Sequence, residues 1–228
     1  MLQRTISLFF AFVLLFGLSL SAKEKSISPE KFKSTDIGSP ALSGSTKILK
    51  DGISLTAGGA DIWGTKDEFR FASFEQTGDF DMAARIESLT ASNQYTKAGI
   101  MAREDLSDNS SHIFFQVFPD NSLRNNNNGG YEFQYRKEKN AKMKAIYPAQ
   151  IDGTPEFPVN YPKTWIRLKR TGNEFTGYYS ADGKIWKVYT SVSMKLSKKV
   201  YLGLAATSHD TNLTTTVVFQ NISEIHEK

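Results

Sequence analysis

Beyond about residue 36, no run of about ten residues keeps the i, i+3, i+4 apolar spacing of an amphipathic helix, while short apolar/polar alternations recur between turn signals. An alternating segment buries one face only, so a chain made of such segments must pack sheet on sheet. The reading is all-β. Strands are expected over Phe69–Phe74, Phe80–Leu89, Tyr95–Arg103, His112–Phe118, Tyr131–Lys137, Thr164–Thr171, Glu174–Ser180, Lys184–Val192, Val200–Ser208 and Thr214–Ile222. Gly78-Asp79, Asp108-Asn109, Pro119-Asp120-Asn121, Gly172-Asn173 and Asp182-Gly183 separate them with residues that suit tight turns. Within Phe80–Ile86, the residues Phe80, Met82, Ala84 and Ile86 share the face assigned to the core. Within Thr164–Arg170, Ile166 and Leu168 point inward, so Trp165, Arg167 and Lys169 form an aromatic and basic outward face.

The chain opens differently. Arg4, the apolar run from Ile6 to Leu20, and then Ser21-Ala22 have the layout of an export signal. About 15 apolar residues fall short of the roughly 20 that a spanning helix needs. Residues 1–22 are therefore expected to be a cleaved leader, 23–35 a flexible polar lead-in, and 36–228 a single β-sandwich domain. The location implied is secreted, periplasmic or at the cell surface, with no integral span once the leader is removed. The sequence has no cysteine, which excludes thiol catalysis, thiolate metal sites and disulfides, so core packing alone must hold the fold. A formal charge of +4, to which Arg4 contributes, is too mild to argue for nucleic acid.

Five segments in order carry a resemblance. They are Gly58-Gly59-Ala60-Asp61-Ile62-Trp63-Gly64-Thr65-Lys66-Asp67-Glu68-Phe69, Lys97-Ala98-Gly99-Ile100-Met101-Ala102-Arg103, Trp165-Ile166-Arg167-Leu168, Ser180-Ala181-Asp182-Gly183-Lys184-Ile185-Trp186, and Gly203-Leu204-Ala205 with Ser208-His209. From about Asp36 to Ile225 the chain resembles the exported module of unknown function labelled "regulation of enolase", in the concanavalin A-like lectin/glucanase superfamily. That resemblance implies a jelly-roll sandwich of two antiparallel sheets, one concave, and suggests a glycan or polysaccharide partner.

Catalytic chemistry has little support. A sandwich glycosidase needs two carboxylates facing across a sugar, which on one strand demands alternation. The Glu-x-Asp-x-x-Glu pattern of the superfamily's glucanases is absent. Asp79 and Asp81 alternate, but Asp79 sits in a turn; Glu104 and Asp105 do not alternate. The histidines are His112, His209 and His226, and no serine occupies a nucleophile elbow. The Ser180–Trp186 segment reads as a hairpin whose Trp186 folds back to a core or near-core position. A structural Ca²⁺ on Asp61 and Asp67 is one reading of those carboxylates, and capping of loop amides is the other. No further cofactor is implied.

A sugar needs a flat apolar platform and polar groups for its hydroxyls. The residues that could supply them are Lys97, Arg103, Gln116, Gln134, Arg136, Trp165 and Arg167, provided that their faces converge. The leading expectation is a secreted, non-catalytic carbohydrate-binding or cell-surface interaction module. A glycosidase using Asp81, Glu104 or Glu132 is the alternative, and a protein-binding adhesin using an expected long loop over Lys142–Pro162 is the second.

Overall fold

A computed structural model describes residues 23–124, 129–146 and 157–226. The expected leader and the centre of the Asn-rich tip lie outside them. The strands in chain order are β1 (Lys23–Ser26), β2 (Lys33–Ile37), β3 (Ser45–Leu49), β4 (Gly52–Ala57), β5 (Ile62–Trp63), β6 (Lys66–Asp67), β7 (Phe69–Thr77), β8 (Phe80–Leu89) and β9 (Lys97–Arg103). They continue as β10 (His112–Val117), β11 (Tyr131–Arg136), β12 (Lys144–Ile146), β13 (Thr164–Thr171), β14 (Glu174–Ser180), β15 (Lys187–Ser193), β16 (Lys199–Thr207) and β17 (Thr215–His226).

Two antiparallel sheets pack face to face. One runs β15-β14-β13-β8-β17-β4-β3, with β1 added along the far end of β17. The other runs β12-β11-β10-β9-β16-β7-β2. Alternation decides what lies between them. Ile100, Phe115, Phe133 and Leu204 from the seven-stranded sheet meet Met82, Ile86, Leu168, Phe175 and Phe219 from the other, all fully or almost fully buried. Each such side chain contributes about 1.5–3 kcal/mol by leaving water, which is how a fold without disulfides is held.

The opposite face of the seven-stranded sheet is not a plain solvent face. Ile37, Phe69, Phe71, Met101, Phe114 and Ala205 form a second, smaller apolar cluster there. The short hairpin β5–β6 closes over it and adds Ile62. Half of the face that alternation marks as outward is thus roofed.

Three expectations need correction. Residues 23–35 are not a flexible lead-in: β1 pairs with β17, β2 with β7, and Ile27 and Phe32 enter the main core. Their lysines hid the strands, because an edge strand keeps one side in water and tolerates charge. The stretch Lys142–Pro162 is not a loop throughout. It supplies the edge strand β12 and buries Phe157 and Val159, while its middle, residues 147–156, lies outside the described residues. Trp186 is not core; it lies half-buried on the outer face of the eight-stranded sheet, edge-to-face with Trp165 at 6.4 Å. The turn before it forms as expected, with Asp182 accepting from the amides of Lys184 at 2.8 Å and Ile185 at 2.9 Å.

Candidate functional site

The register of the seven-stranded sheet sets Arg103, His112 and Arg136 side by side on its outward face. The carboxylate they surround comes from elsewhere, from Asp67 on β6. Arg136 donates to both Asp67 oxygens at 2.7 Å, the Arg103 guanidinium lies 3.5 Å away, and His112 Nδ1 lies 3.6 Å away, with all four residues fully buried. Arg136 also donates to the carbonyls of Trp63 and Gly64 at 3.4 and 3.3 Å. Arg103 donates to the carbonyl of Asp105 at 2.8 Å and to that of Ser107. Burial brings the Arg103 guanidinium down to about 10 even though Asp67 opposes it. Burial, aided by the two arginines against Asp67, takes His112 down to about 4. This cluster bolts the β5–β6 hairpin to the sheet.

Beside the roofed half, the face opens into a groove of ≈380 Å³. Its floor is Glu132 and Gln134 of β11 with Lys97 at the start of β9. One wall is the hairpin, with Asp61 and Trp63; the other walls are Tyr95, Phe118 and His209. Trp63 keeps 39% of its surface exposed and lies 5.4 Å beneath the Lys97 ammonium. Tyr95 stacks obliquely on His209, with ring centres 5.3 Å apart.

The polar groups of the groove are ordered. Lys97 bonds to Asp61 Oδ1 and to the carbonyl of Ile62 at 3.4 Å. His209 Nε2 lies 3.2 Å from Asp61 Oδ2. Burial would raise the Asp61 carboxyl, but the hydrogen bond with His209 and the charge and hydrogen bond of Lys97 outweigh it and hold the group below the usual carboxylate value. Glu132 Oε1 accepts from Gln116 at 2.9 Å and from Gln134 at 2.5 Å. His209 has φ 56°, in the left-handed region that histidine, like asparagine and aspartate, enters more readily than most residues.

The sequence candidates therefore divide. Lys97 and Gln134 line the groove and Gln116 supports its floor, whereas Arg103 and Arg136 share the sheet face but turn their charge into the Asp67 cluster. Trp165 and Arg167 are on the other sheet. There Arg167 binds Asp81 through two hydrogen bonds of 2.6 and 2.5 Å and stacks on Tyr178 at 4.5 Å. Among the alternative catalytic carboxylates, Asp81 is held by that pair, Glu104 accepts from the amide and hydroxyl of Ser197 at 2.7 and 2.8 Å, and Glu132 alone lies in the groove.

Metal does not fit where it was expected. Both Asp67 oxygens face a guanidinium and Asp61 faces an ammonium and an imidazole, so a cation at either would meet positive charge. Among the described residues, no group of three or more His, Cys, Asp or Glu side chains is placed to hold an ion.

Trp63, Tyr95, Phe118 and His209 escaped the sequence reading of the site. Trp63 carried a usable signal, a tryptophan set before Gly64 in a hairpin too short to bury it. The others reach the groove from loop ends that strand periodicity does not position.

No protein-family model and no curated protein matches the chain, so the resemblance to the "regulation of enolase" module rests on sequence motifs alone. Solved structures do match. A functionally unknown protein from Saccharomyces cerevisiae superposes with TM-score 0.65 at 14% identity, over 89% of this chain and 100% of that one. The carbohydrate-binding module CBM66 from Bacillus subtilis gives 0.52 at 16%, over 84% and 94%. The exoplasmic/lumenal domain of VIP36, in its Ca²⁺/Man3GlcNAc-bound form, gives 0.55 at 10%, over 91% of each chain. At these identities the likeness shows the fold: an all-β sandwich of two antiparallel sheets, of the lectin-like jelly-roll kind. Among the described residues no helix is long and apolar enough to cross a membrane.

Proposed function

We propose that the protein is a secreted, non-catalytic carbohydrate-binding module, acting at or beyond the cell surface, whose site is the groove beside the β5–β6 hairpin. The observation that carries this reading is the half-exposed Trp63 ring set over a floor of Glu132 and Gln134. An indole face packs against the C–H face of a sugar ring, while carboxylate and amide groups bond its hydroxyls. The sandwich fold, shared with a carbohydrate-binding module and with a sugar-bound lumenal domain, supports the reading, and the export-signal layout of residues 1–22 is its basis for secretion. A glycan array probed with the chain from residue 23 onward should light up for a restricted set of sugars. Trp63→Ala should weaken the strongest of these at least about tenfold, the scale of losing a well-buried aromatic contact. Binding that is indifferent to Trp63 would remove the groove from consideration.

One observation favours a second reading, a glycoside hydrolase: Asp61 and Glu132 line the same groove. Asp61 argues against it, since the hydrogen bond with His209 and the charge and hydrogen bond of Lys97 favour its ionised form and a general acid must hold a proton. Release of reducing sugar from a bound polysaccharide, abolished by Glu132→Gln, would establish hydrolysis. Unaltered polysaccharide after prolonged incubation would leave binding as the function.

A further inference from the structure

We infer that the groove reads its ligand at the rim, through the Tyr95 hydroxyl and His209 Nδ1, an inference that rests on the sugar-binding reading above. Glu132 and Gln134 are 3% and 0% exposed and are bonded to each other, so most of the reachable polar surface lies above them. Tyr95 and His209 are half-buried and both line the groove. Neither the Tyr95 hydroxyl nor His209 Nδ1 has a hydrogen-bond partner among the described residues, and neither atom is enclosed. Their chemistry is set by what surrounds them. His209 Nε2 lies 3.2 Å from an Asp61 oxygen. A carboxylate only accepts, so the proton of the neutral ring sits on Nε2 and Nδ1 is an acceptor. The Tyr95 hydroxyl can donate or accept. With ring centres 5.3 Å apart, the pair suits neighbouring hydroxyls of one sugar ring, one of which donates to His209.

The two residues are held as a unit. The amide of Tyr95 donates to Asn93 Oδ1 at 2.9 Å. Beside it, the buried Thr96 and its neighbour Ser92 both donate to the carbonyl of Ser208, at 2.9 and 2.7 Å. Ser208 Oγ in turn lies 3.0 Å from the carbonyl of Gly59 and 2.7 Å from that of Asp210. One network of hydroxyls thus fixes Tyr95, His209 and the segment leading into Asp61 relative to one another. Side chains placed before a ligand arrives lose little freedom when it binds, and a recognition pair needs such support. The network spends its own polar groups internally and leaves open only the two atoms at the rim.

Affinity electrophoresis through gels containing galactan, mannan, xylan or laminarin tests the pair, with Tyr95→Phe, His209→Asn and Trp63→Ala run beside the unaltered protein. Tyr95→Phe removes a single oxygen, and asparagine accepts the left-handed backbone of position 209. Unchanged melting temperatures and tryptophan emission spectra check that the groove is intact in both. Each of the two should weaken binding of the polymer that slows the protein most by about threefold to tenfold, the scale of one hydrogen bond. Unchanged affinity in either, for a polymer whose binding Trp63→Ala removes, would overturn the rim pair while leaving sugar binding intact. Failure of every polymer to slow the folded protein would overturn both.

Discussion

Asp67 illustrates how one residue can decide what its neighbours are for. Three side chains that sheet alternation offers to a ligand are instead arranged around its carboxylate. Replacing it by alanine strands two buried guanidinium groups, and breaking a buried pair from one side costs about 3–5 kcal/mol. Urea denaturation of Asp67→Ala should show a loss of that size. The cluster also predicts a pH dependence. His112 titrates near 4 in the folded chain, below the roughly 6.5 of an unfolded histidine. As pH falls, the unfolded chain takes up this proton first. The contribution is therefore intact above about 6.5 and is lost as pH drops towards 4, by roughly 3 kcal/mol in all. Melting temperatures measured from pH 7.5 to 4.5 should fall, and should fall less steeply for His112→Asn. Arg103 and Arg136 were legible as outward-facing because side chains alternate along a strand, but that they share one sheet with His112 depends on strand pairing, which the sequence left open. Their common partner was not legible, since Asp67 lies on a two-residue strand outside the main sheets and no period announces it.

At the scale of elements, the β5–β6 hairpin is the piece on which the site depends. It brings Trp63 and Asp61 to the groove, and it is held by the Asp67–Arg136 pair, by Arg136 on the carbonyls of Trp63 and Gly64, by Lys97 on Asp61 and the Ile62 carbonyl, by the buried Ile62, and by two amide bonds of 2.8 Å, Asp67 to the carbonyl of Asp108 and Met143 to that of Gly64. Asp67→Asn keeps the shape and removes the charge. With Trp165 and Trp186 changed to phenylalanine, that substitution should make Trp63 more accessible to acrylamide quenching while the sheets remain folded. Unchanged quenching would mean that the ion pair does not position the hairpin. Gly64 turns the hairpin at φ 57° with open space around it, so Gly64→Ala should cost about 1 kcal/mol from backbone strain alone. Long, one-sided strands such as β8, β13 and β14 could be read to the residue from alternation and turn chemistry. The edge strands β1 to β3, rich in lysine and serine, could not, because both their faces tolerate polar side chains.

For the whole molecule, the opening segment is a clasp across both sheets. A chain shortened to begin at Asp36 loses β1, most of β2, and the buried Ile27 and Phe32, the latter packed edge-to-face on Phe74 at 5.2 Å. At about 1.5–3 kcal/mol per buried side chain, scanning calorimetry should show a strongly lowered melting temperature or no cooperative transition. The eight-stranded sheet has a further property. Its inner strand β17 ends at His226, and β1, whose Lys23 faces that His226, completes the pairing. Neither β4 nor β8 gains its shared neighbour until that last strand is available. Closure is thus a late, non-local event of the slow kind. A chain interrupted before β17 would therefore leave β4 and β8 each with an open edge, ready to pair with another chain instead of with its own partner strand.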